Sequence, residues 1–282
     1  MKKMFFTGKK LRSLFLVLFV ILAVVFCGAV HSHRPLAKIL LYHSISYPND
    51  IVGLPSLEPR LFHRQLDYLK THGYDTVFLS AVLQRYGQGE KIPDRWVVLT
   101  FDDGWEDFYR SVFPLLKAHG FKATLFVVPG FLGQLDYMTW KQVKEAQKSG
   151  FVEIGSHSLY HFALTCLDKQ EAKKRIGLSK RILEKKLGVP VRVFAYPYGA
   201  LNKEVRQMVR EAGFLGATGT VYRMGEFRLR DPYNLRRVYV SAISKYPGVF
   251  RFMLSGYYVP VRGLLLRLFN IKTPRDANGC ET

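Results

Sequence analysis

Two groups of residues in this 282-residue chain have the types and spacing to do chemistry. Asp102 and Asp103 are adjacent and directly follow an apolar run. Neighbouring carboxylates repel each other, so a metal ion, a shared proton or exposure in a solvated Asp-Asp-Gly turn must account for them. His157 and His161 are four positions apart. On a helix or tight turn this spacing places both imidazoles on one side, where they can share a metal.

The two groups together indicate a metal site more specifically than either group does alone. One carboxylate and two imidazoles make a set of three metal ligands that leaves positions open for water and substrate. The second carboxylate then has a use, since a base beside a metal site can take the proton of an attacking water. The residue pattern leaves open which aspartate binds the metal and which is the base.

Two further segments could complete a hydrolytic site. Residues 196–199, Tyr-Pro-Tyr-Gly, form a rigid turn that can aim a backbone N–H at a developing oxyanion, although a plain turn fits equally well. His43 follows an early apolar run and can protonate a leaving amine, with a structural histidine as the alternative.

Short apolar runs precede these residues and predict the elements that position them. The predicted strands span 38–43, 76–79, 96–101, 123–128, 151–154, 191–195 and 235–240. Helical stretches lie between them, and Ser80, Thr139, Asp168 and Asn202 are candidate N-caps. A helix predicted over 106–119 contains Pro114, which implies a kink or a late start. This alternation predicts a parallel α/β sheet, and polar residues at strand ends favour a barrel over a doubly wound open sheet.

The excess of positive charge indicates an anionic binding partner or surface. Forty-two Lys and Arg residues against 22 Asp and Glu give a net charge of +20. Residues 1–12 are basic and residues 13–30 carry no charge, which fits an uncleaved membrane anchor better than a cleaved signal peptide. We expect single-pass insertion in a bacterial inner (plasma) membrane with the remainder extracytoplasmic. We expect no nucleic-acid partner, and protein partners stay unknown.

Composition and cysteine usage bound the domain organisation. The chain is 48% hydrophobic and 14% aromatic, as in globular proteins. Its three cysteines show no disulfide framework. We divide it into a basic stub with an anchor or signal sequence (1–34), a catalytic domain (35–245) and a basic, apolar tail (246–282). The tail can lie on an anionic membrane or pack as a final helix.

Three motifs together resemble the polysaccharide deacetylases of carbohydrate esterase family 4. They are Thr-Phe-Asp-Asp-Gly at 100–104, His-Ser-Leu-Tyr-His at 157–161 and Phe-Ala-Tyr-Pro-Tyr-Gly at 194–199. The similarity covers roughly residues 37–240. It implies a distorted (β/α)7 barrel and a metal-dependent N-deacetylase acting on an N-acetylated hexosamine polysaccharide, with release of acetate. Alternatives are an inactive carbohydrate-binding homologue and a related metal hydrolase of a small amide.

The resemblance also implies a role for each motif residue. Asp102 would be the general base, and the backbone N–H of Tyr198 would stabilise the oxyanion. The ligands of a divalent metal, Zn²⁺, would be Asp103, His157 and His161.

Two departures from the family pattern affect the remaining roles. Ala195 stands where the family has an arginine that orients the base, and no histidine follows His161 to supply the acid. Both departures resemble a circularly permuted branch that includes deacetylases of poly-β-1,6-N-acetylglucosamine. In that branch the acid comes from an early Tyr-His pair, here ending in His43. Arg237 is our candidate for the orienting arginine, with Arg236 as the alternative.

Overall fold

Eight parallel strands form one sheet in the part of the chain described by a computed structural model, which comprises residues 38–47, 56–219, 231–246, 248–255 and 258. The strands are β1 (Lys38–Tyr42), β2 (Asp75–Thr76), β3 (Trp96–Phe101), β4 (Ala123–Val127), β5 (Val152–Ser156), β6 (Val193–Ala195), β7 (Gly216–Thr218) and β8 (Val238–Tyr239). Their order is β7-β6-β5-β4-β3-β1-β8, with β2 also paired to β3.

Helices connect most of these strands. They are α1 (Pro59–Thr71), α2 (Leu79–Gly87), α3 (Phe113–His119), α4 (Trp140–Lys148), α5 (Lys169–Leu187), α6 (Lys203–Glu211) and α7 (Val249–Leu254). A π-helical turn at Phe108–Val112 precedes α3, and Pro114 lies in the first turn of α3. Proline is tolerated there because the first N–H groups of a helix have no partner within it. Glu106 and Asp107 are already helical, so the stretch predicted over 106–119 does not start late, and the π-helical turn interrupts it before Pro114.

Alternating side chains divide the buried residues into two cores. On β3, Val97 and Leu99 belong to the larger core, which also contains the buried residues of α1 and α3. Val98 between them belongs to a smaller core, together with Phe126 of β4. Since successive side chains of a strand point to opposite faces, both faces of the sheet are buried, as in barrel-like parallel sheets.

The predicted parallel α/β architecture is confirmed. The two ends of the strand order also approach each other, because Leu235 exchanges backbone hydrogen bonds with Ala217 and Gly219. Only three residues later, β8 pairs with β1. The second and last strands are shorter than predicted, at two residues each.

The expected cap at Ser80 is wrong. Helix α2 begins one residue earlier, and its first N–H groups bond to side chains of the neighbouring strands. Leu79 N–H donates to Thr124 Oγ1, and Ser80 N–H donates to Glu153 Oε2. The caps predicted at Thr139, Asp168 and Asn202 are confirmed, because each side chain accepts a backbone N–H of its helix.

Several predictions fall on the ends of the chain. None of the helices in the described ranges is long and apolar enough to span a bilayer. Residues 1–34 and most of 246–282 lie outside those ranges, so the anchor and the membrane-binding tail stay predictions. Cys166 is disulfide-bonded, which the cysteine spacing had neither predicted nor excluded.

Candidate active site

The predicted site residues come together at one edge of the sheet. Asp102 and Asp103 directly follow β3, His157 directly follows β5, and His43 directly follows β1. Tyr198 lies in the short 3₁₀ turn after β6. The strands are parallel, so their carboxyl-terminal ends meet at the same edge, which is where α/β proteins usually carry function.

Asp103, His157 and His161 form a compact cluster of metal-ligating atoms. The Nε2 atoms of His157 and His161 lie 3.5 and 3.3 Å from Asp103 Oδ1. The three ligand atoms are all within 4.8 Å of one another. Zn–N and Zn–O bonds of about 2.0–2.2 Å place tetrahedral ligand atoms roughly 3.3–3.5 Å apart. A divalent metal therefore fits this cluster with small side-chain adjustments.

The hydrogen bond made by His157 fixes which of its nitrogens can bind a metal. Its Nδ1 lies 2.8 Å from the carbonyl oxygen of Ala195, which only accepts, so Nδ1 carries the proton. Burial lowers the pKa of His157 to about 3, which keeps the ring neutral. Its Nε2 thus presents a lone pair toward Asp103, the arrangement typical of a metal-binding histidine.

Asp103 is held in a strained conformation that aims its carboxylate at the histidines. Its φ is 75°, in the left-handed region that few non-glycine residues adopt. The indole Nε1–H of Trp105 donates to Asp103 Oδ2 over 3.0 Å, which leaves Oδ1 to face the cluster. Burial and the charge of Asp102 raise the pKa of Asp103 to about 6. A cation bound at Oδ1 would relieve both penalties.

Asp102 is paired with Arg237 instead. Guanidinium Nη1 and Nη2 donate to Asp102 Oδ1 and Oδ2 over 2.6 and 2.7 Å, a two-point contact between fully buried side chains. Burial alone would raise the pKa of Asp102, but Arg237 and His157 outweigh it and hold that pKa at about 2. Asp102 is therefore an oriented, ionised carboxylate that lies 3.9 Å from Nε2 of His157.

Arg237 is itself fixed by its surroundings. Its Nε–H donates to the carbonyl oxygen of Gly219 over 3.1 Å, and its guanidinium lies 5.5 Å from the centre of the Phe126 ring. Of the two arginines considered from sequence, Arg237 is the one with this two-point contact to Asp102. Ala195, where the family has its arginine, contributes only its carbonyl oxygen.

His43 lies on the same edge of the sheet, and its charge acts on both aspartates. When protonated, it lowers the pKa of Asp102 and of Asp103. Its Nδ1 is buried without a hydrogen-bond partner among the described residues, and its ring packs edge-on against Tyr239 at 5.8 Å. The His43 residue as a whole is only partly buried, and an imidazole at this edge of the sheet can exchange a proton with a substrate.

Tyr198 borders the cluster beside His161. Its φ of 58° also lies in the left-handed region, and its ring packs 4.6 Å from that of His161. More than half of this side chain is exposed, so it lies at the rim where a substrate would enter.

Sequence reasoning missed three supporting residues. Trp105 follows the Asp-Asp-Gly segment directly, so its position next to the motif was an available signal. Tyr137 stacks on Trp105 at 4.3 Å, and burial raises its pKa to about 12. Asp107 Oδ2 accepts from Ser44 Oγ and Ile45 N–H, which ties down the segment after His43. The last two contacts depend on the fold and left no local signal.

Comparison with known proteins points to one family. A family model described as polysaccharide deacetylase matches residues 89–217. YxkH of Bacillus subtilis (strain 168), whose name assigns it to the polysaccharide deacetylases, is 31% identical over 203 residues, covering 72% of this chain and 71% of YxkH.

Two further proteins are similar. A poly-β-1,6-N-acetyl-D-glucosamine N-deacetylase of Staphylococcus aureus (strain MRSA252) is 29% identical over 56% of this chain and 59% of its own. This chain thus covers less than two thirds of that enzyme. The solved structure of IcaB from Ammonifex degensii has 26% identity and a TM-score of 0.69, covering 78% of this chain and 98% of IcaB. Together with the 31% identity to YxkH, these matches show that the chain belongs to the polysaccharide deacetylase family, hydrolases of amide bonds in acetylated polysaccharides.

Proposed function

We propose that the protein is a metal-dependent N-deacetylase that releases acetate from an N-acetylated hexosamine polysaccharide. The observation that carries this proposal is the three-ligand cluster around Asp103 Oδ1, with the ionised Asp102 directly beside it. A site of this kind holds a cation and a separate base within reach of one water molecule.

The metal ligands in this proposal are Asp103, His157 and His161. When bound, a divalent cation supplies Lewis-acid polarisation of a carbonyl and lowers the pKa of water to near neutrality. One carboxylate and two imidazoles suit Zn²⁺ among the first-row divalent metals. The low pKa of His157 keeps its Nε2 free of a proton at neutral pH, so this ligand needs no deprotonation before it binds.

The catalytic residues divide the proton transfers between them. Asp102, oriented by Arg237, takes the proton of the water that attacks the acetamide carbon. The backbone N–H of Tyr198 donates to the developing oxyanion on the substrate. His43 protonates the departing amine nitrogen, so that the C–N bond breaks and acetate is released.

The glycan class rests on the relatives. The staphylococcal relative is by name a deacetylase of poly-β-1,6-N-acetyl-D-glucosamine. We infer the same chemical class, an N-acetylglucosamine polymer, for this chain. The aromatic side chain of Tyr198 at the rim offers a face against which a pyranose ring can pack.

We also infer the finer architecture and the location. The hydrogen bonds of Leu235 with Ala217 and Gly219 support a distorted (β/α)7 barrel. The basic residues 1–12 followed by the uncharged 13–30 support an N-terminal membrane anchor, with the catalytic domain at 35–245 outside the cytoplasm.

Acetate release from defined oligomers tests the proposal. The protein, treated with chelator and then given Zn²⁺, should release acetate from β-1,6-linked N-acetylglucosamine oligomers only after the metal is restored. Full activity without metal would exclude the metal-dependent mechanism. Binding of the oligomer with no acetate released under any metal would favour an inactive carbohydrate-binding homologue. Release only from small acetamides would favour a hydrolase of non-polymeric amides.

A further inference from the structure

A second cluster of metal-ligating side chains lies on the outer helical layer. We name His63, Asp67 and His119 the helical cluster. His63 and Asp67 are one turn apart on α1, and His119 is the last residue of α3. Two imidazole nitrogens and a carboxylate oxygen of this cluster all lie within 4.8 Å of one another. This is the same donor set as in the active site, brought together here by two neighbouring helices.

The hydrogen bonds of His119 require a cation at this position. Its Nδ1 lies 2.8 Å from the carbonyl oxygen of Leu115, which only accepts, so Nδ1 carries a proton. Its Nε2 lies 3.1 Å from Oδ1 of Asp67, and a carboxylate also only accepts. His119 Nε2 and Asp67 Oδ1 would therefore be two acceptors facing each other. A positive charge between them resolves this, either as a second proton on the ring or as a metal ion.

His63 makes the metal ion the better explanation. Its Nε2 lies 3.9 Å from Asp67 Oδ2, and its ring is nearly perpendicular to that of His119 at a centroid distance of 5.3 Å. Its position one turn before Asp67 on α1 supplies the second imidazole, and thus the third ligand, that a metal site needs. About half of the His63 side chain is exposed, so it can rotate to reach the roughly 3.3–3.5 Å ligand separations of a tetrahedral site.

Neighbouring contacts hold α1 and α3 together at this cluster. The ammonium group of Lys70, on α1, donates to the carbonyl oxygen of His119 over 2.9 Å. The ring of His119 is mostly buried and stacks on Phe121 at 5.9 Å. One of the three ligand side chains, that of His119, therefore has little freedom to lose when a metal binds, which favours affinity.

We propose that the helical cluster is a second metal site, for Zn²⁺ or a similar first-row divalent cation, that clamps α1 to α3. It lies at the edge of the sheet opposite the active site, because α3 ends just before β4 begins. Because it lies away from the catalytic residues, the ion would stabilise the fold without taking part in the reaction. The proposal is independent of the proposed deacetylase activity.

Counting bound Zn²⁺ on single variants of the full chain tests the proposal. After chelator treatment and equilibrium dialysis against Zn²⁺, the His63→Ala protein should bind one equivalent fewer than the wild type. His157→Ala should also lose one equivalent, and the double variant should lose both. His72→Ala is the matched control, since His72 is an exposed histidine at the end of the same helix but outside the cluster.

Thermal melting gives a second measurement on the same proteins. Zn²⁺ should raise the melting temperature of His157→Ala, which keeps the helical cluster, and leave that of the double variant unchanged. Asp67→Asn provides a second way to remove the site should His63→Ala melt abnormally without metal. Equal Zn²⁺ content in His63→Ala, Asp67→Asn and wild type would overturn the proposal. It would show that the cluster is a hydrogen-bonded ion pair in which His119 carries two protons.

Discussion

Asp102 and Asp103 are adjacent in the chain, yet their surroundings shift the pKa values of the two carboxyl groups in opposite directions. Arg237 holds the pKa of Asp102 at about 2, whereas burial and the charge of Asp102 raise that of Asp103 to about 6. Arginine thus neutralises one carboxylate permanently, and the other still needs a cation. This asymmetry supports the separate roles, base and ligand, that we propose for the two aspartates and that the residue pattern alone had left open.

Metal affinity should depend on pH through Asp103. Below a pH of about 6 this carboxyl carries a proton in the metal-free protein, and a cation must displace it. His157 stays neutral down to a pH of about 3 and adds no competing proton above that. We expect Zn²⁺ affinity at the active site to fall about fivefold between pH 6 and pH 5, with little change between pH 7 and pH 8.

Chelator competition at several pH values measures this dependence. The His63→Ala protein is suited to it, because the helical cluster then does not contribute. An affinity that is constant from pH 5 to pH 7 would contradict the assignment of Asp103 as a ligand.

Replacement of Arg237 by lysine should slow turnover while the metal remains bound. Lysine keeps the positive charge but cannot make the two-point contact with Asp102, so the base loses its orientation. We expect kcat to fall about 100-fold, with KM and Zn²⁺ content near wild type. Steady-state kinetics with metal analysis checks this, and Arg236→Lys is the matched control. Equal losses in both variants would remove the specific role of Arg237.

At the scale of the elements, strained turns place the ligands. Of the five described non-glycine residues with positive φ, four lie in the three motifs: Asp103, Ser158, His161 and Tyr198. Each costs on the order of 1–3 kcal/mol, and such strain persists only where the surrounding structure enforces it. The close packing of neighbouring loops is what enforces it here.

Gly130 allows one of these close contacts. A Cβ at this position would lie 2.6 Å from the carbonyl oxygen of Leu159 and would clash with the ring of Tyr160, which lies between His157 and His161 in the chain. Gly130→Ala should therefore displace this loop and weaken Zn²⁺ binding at the active site about tenfold. Isothermal titration compares it with Gly87→Ala, whose Cβ would contact nothing within 4 Å. Unchanged affinity in Gly130→Ala would mean that the loop adapts freely.

The order of strands and helices could be predicted from sequence because it depends on local pattern. Caps such as Asn202 act within one helical turn, so they can be read from a few residues. The start of α2 could not be predicted in this way. Its N–H groups are satisfied by Thr124 and Glu153, which follow 45 and 73 positions later in the chain.

The same distinction between local pattern and contacts of distant residues applies to the candidate site. Motif residues were found because each directly follows an apolar run. The placement of Arg237 beside Asp102, 135 positions away, depends on the pairing of β8 with β1 and of β1 with β3. Spacing in the sequence carries no trace of that pairing, so the resemblance to a family supplied the expectation.

At the scale of the whole molecule, the net charge of +20 and residues 1–30 predict membrane attachment. The full chain, expressed in bacteria, should stay in the membrane pellet after alkaline carbonate extraction, with an intact mass that includes the basic N-terminus. An uncleaved apolar segment of this length is retained by the bilayer. Recovery in the supernatant as a shortened protein would show that the segment is a cleaved signal peptide.

The central claim is that a metal held by Asp103, His157 and His161 acts together with Asp102 as a separate base. Asp102→Asn keeps the size of this side chain and one of its two contacts with Arg237, and removes the carboxylate that can accept a proton from water. The most direct measurement is the rate of acetate release per bound Zn²⁺ for this variant on an N-acetylglucosamine oligomer. We predict Zn²⁺ content at the active site equal to wild type and a rate reduced about 100- to 10,000-fold. A fully loaded variant with the wild-type rate would contradict the account.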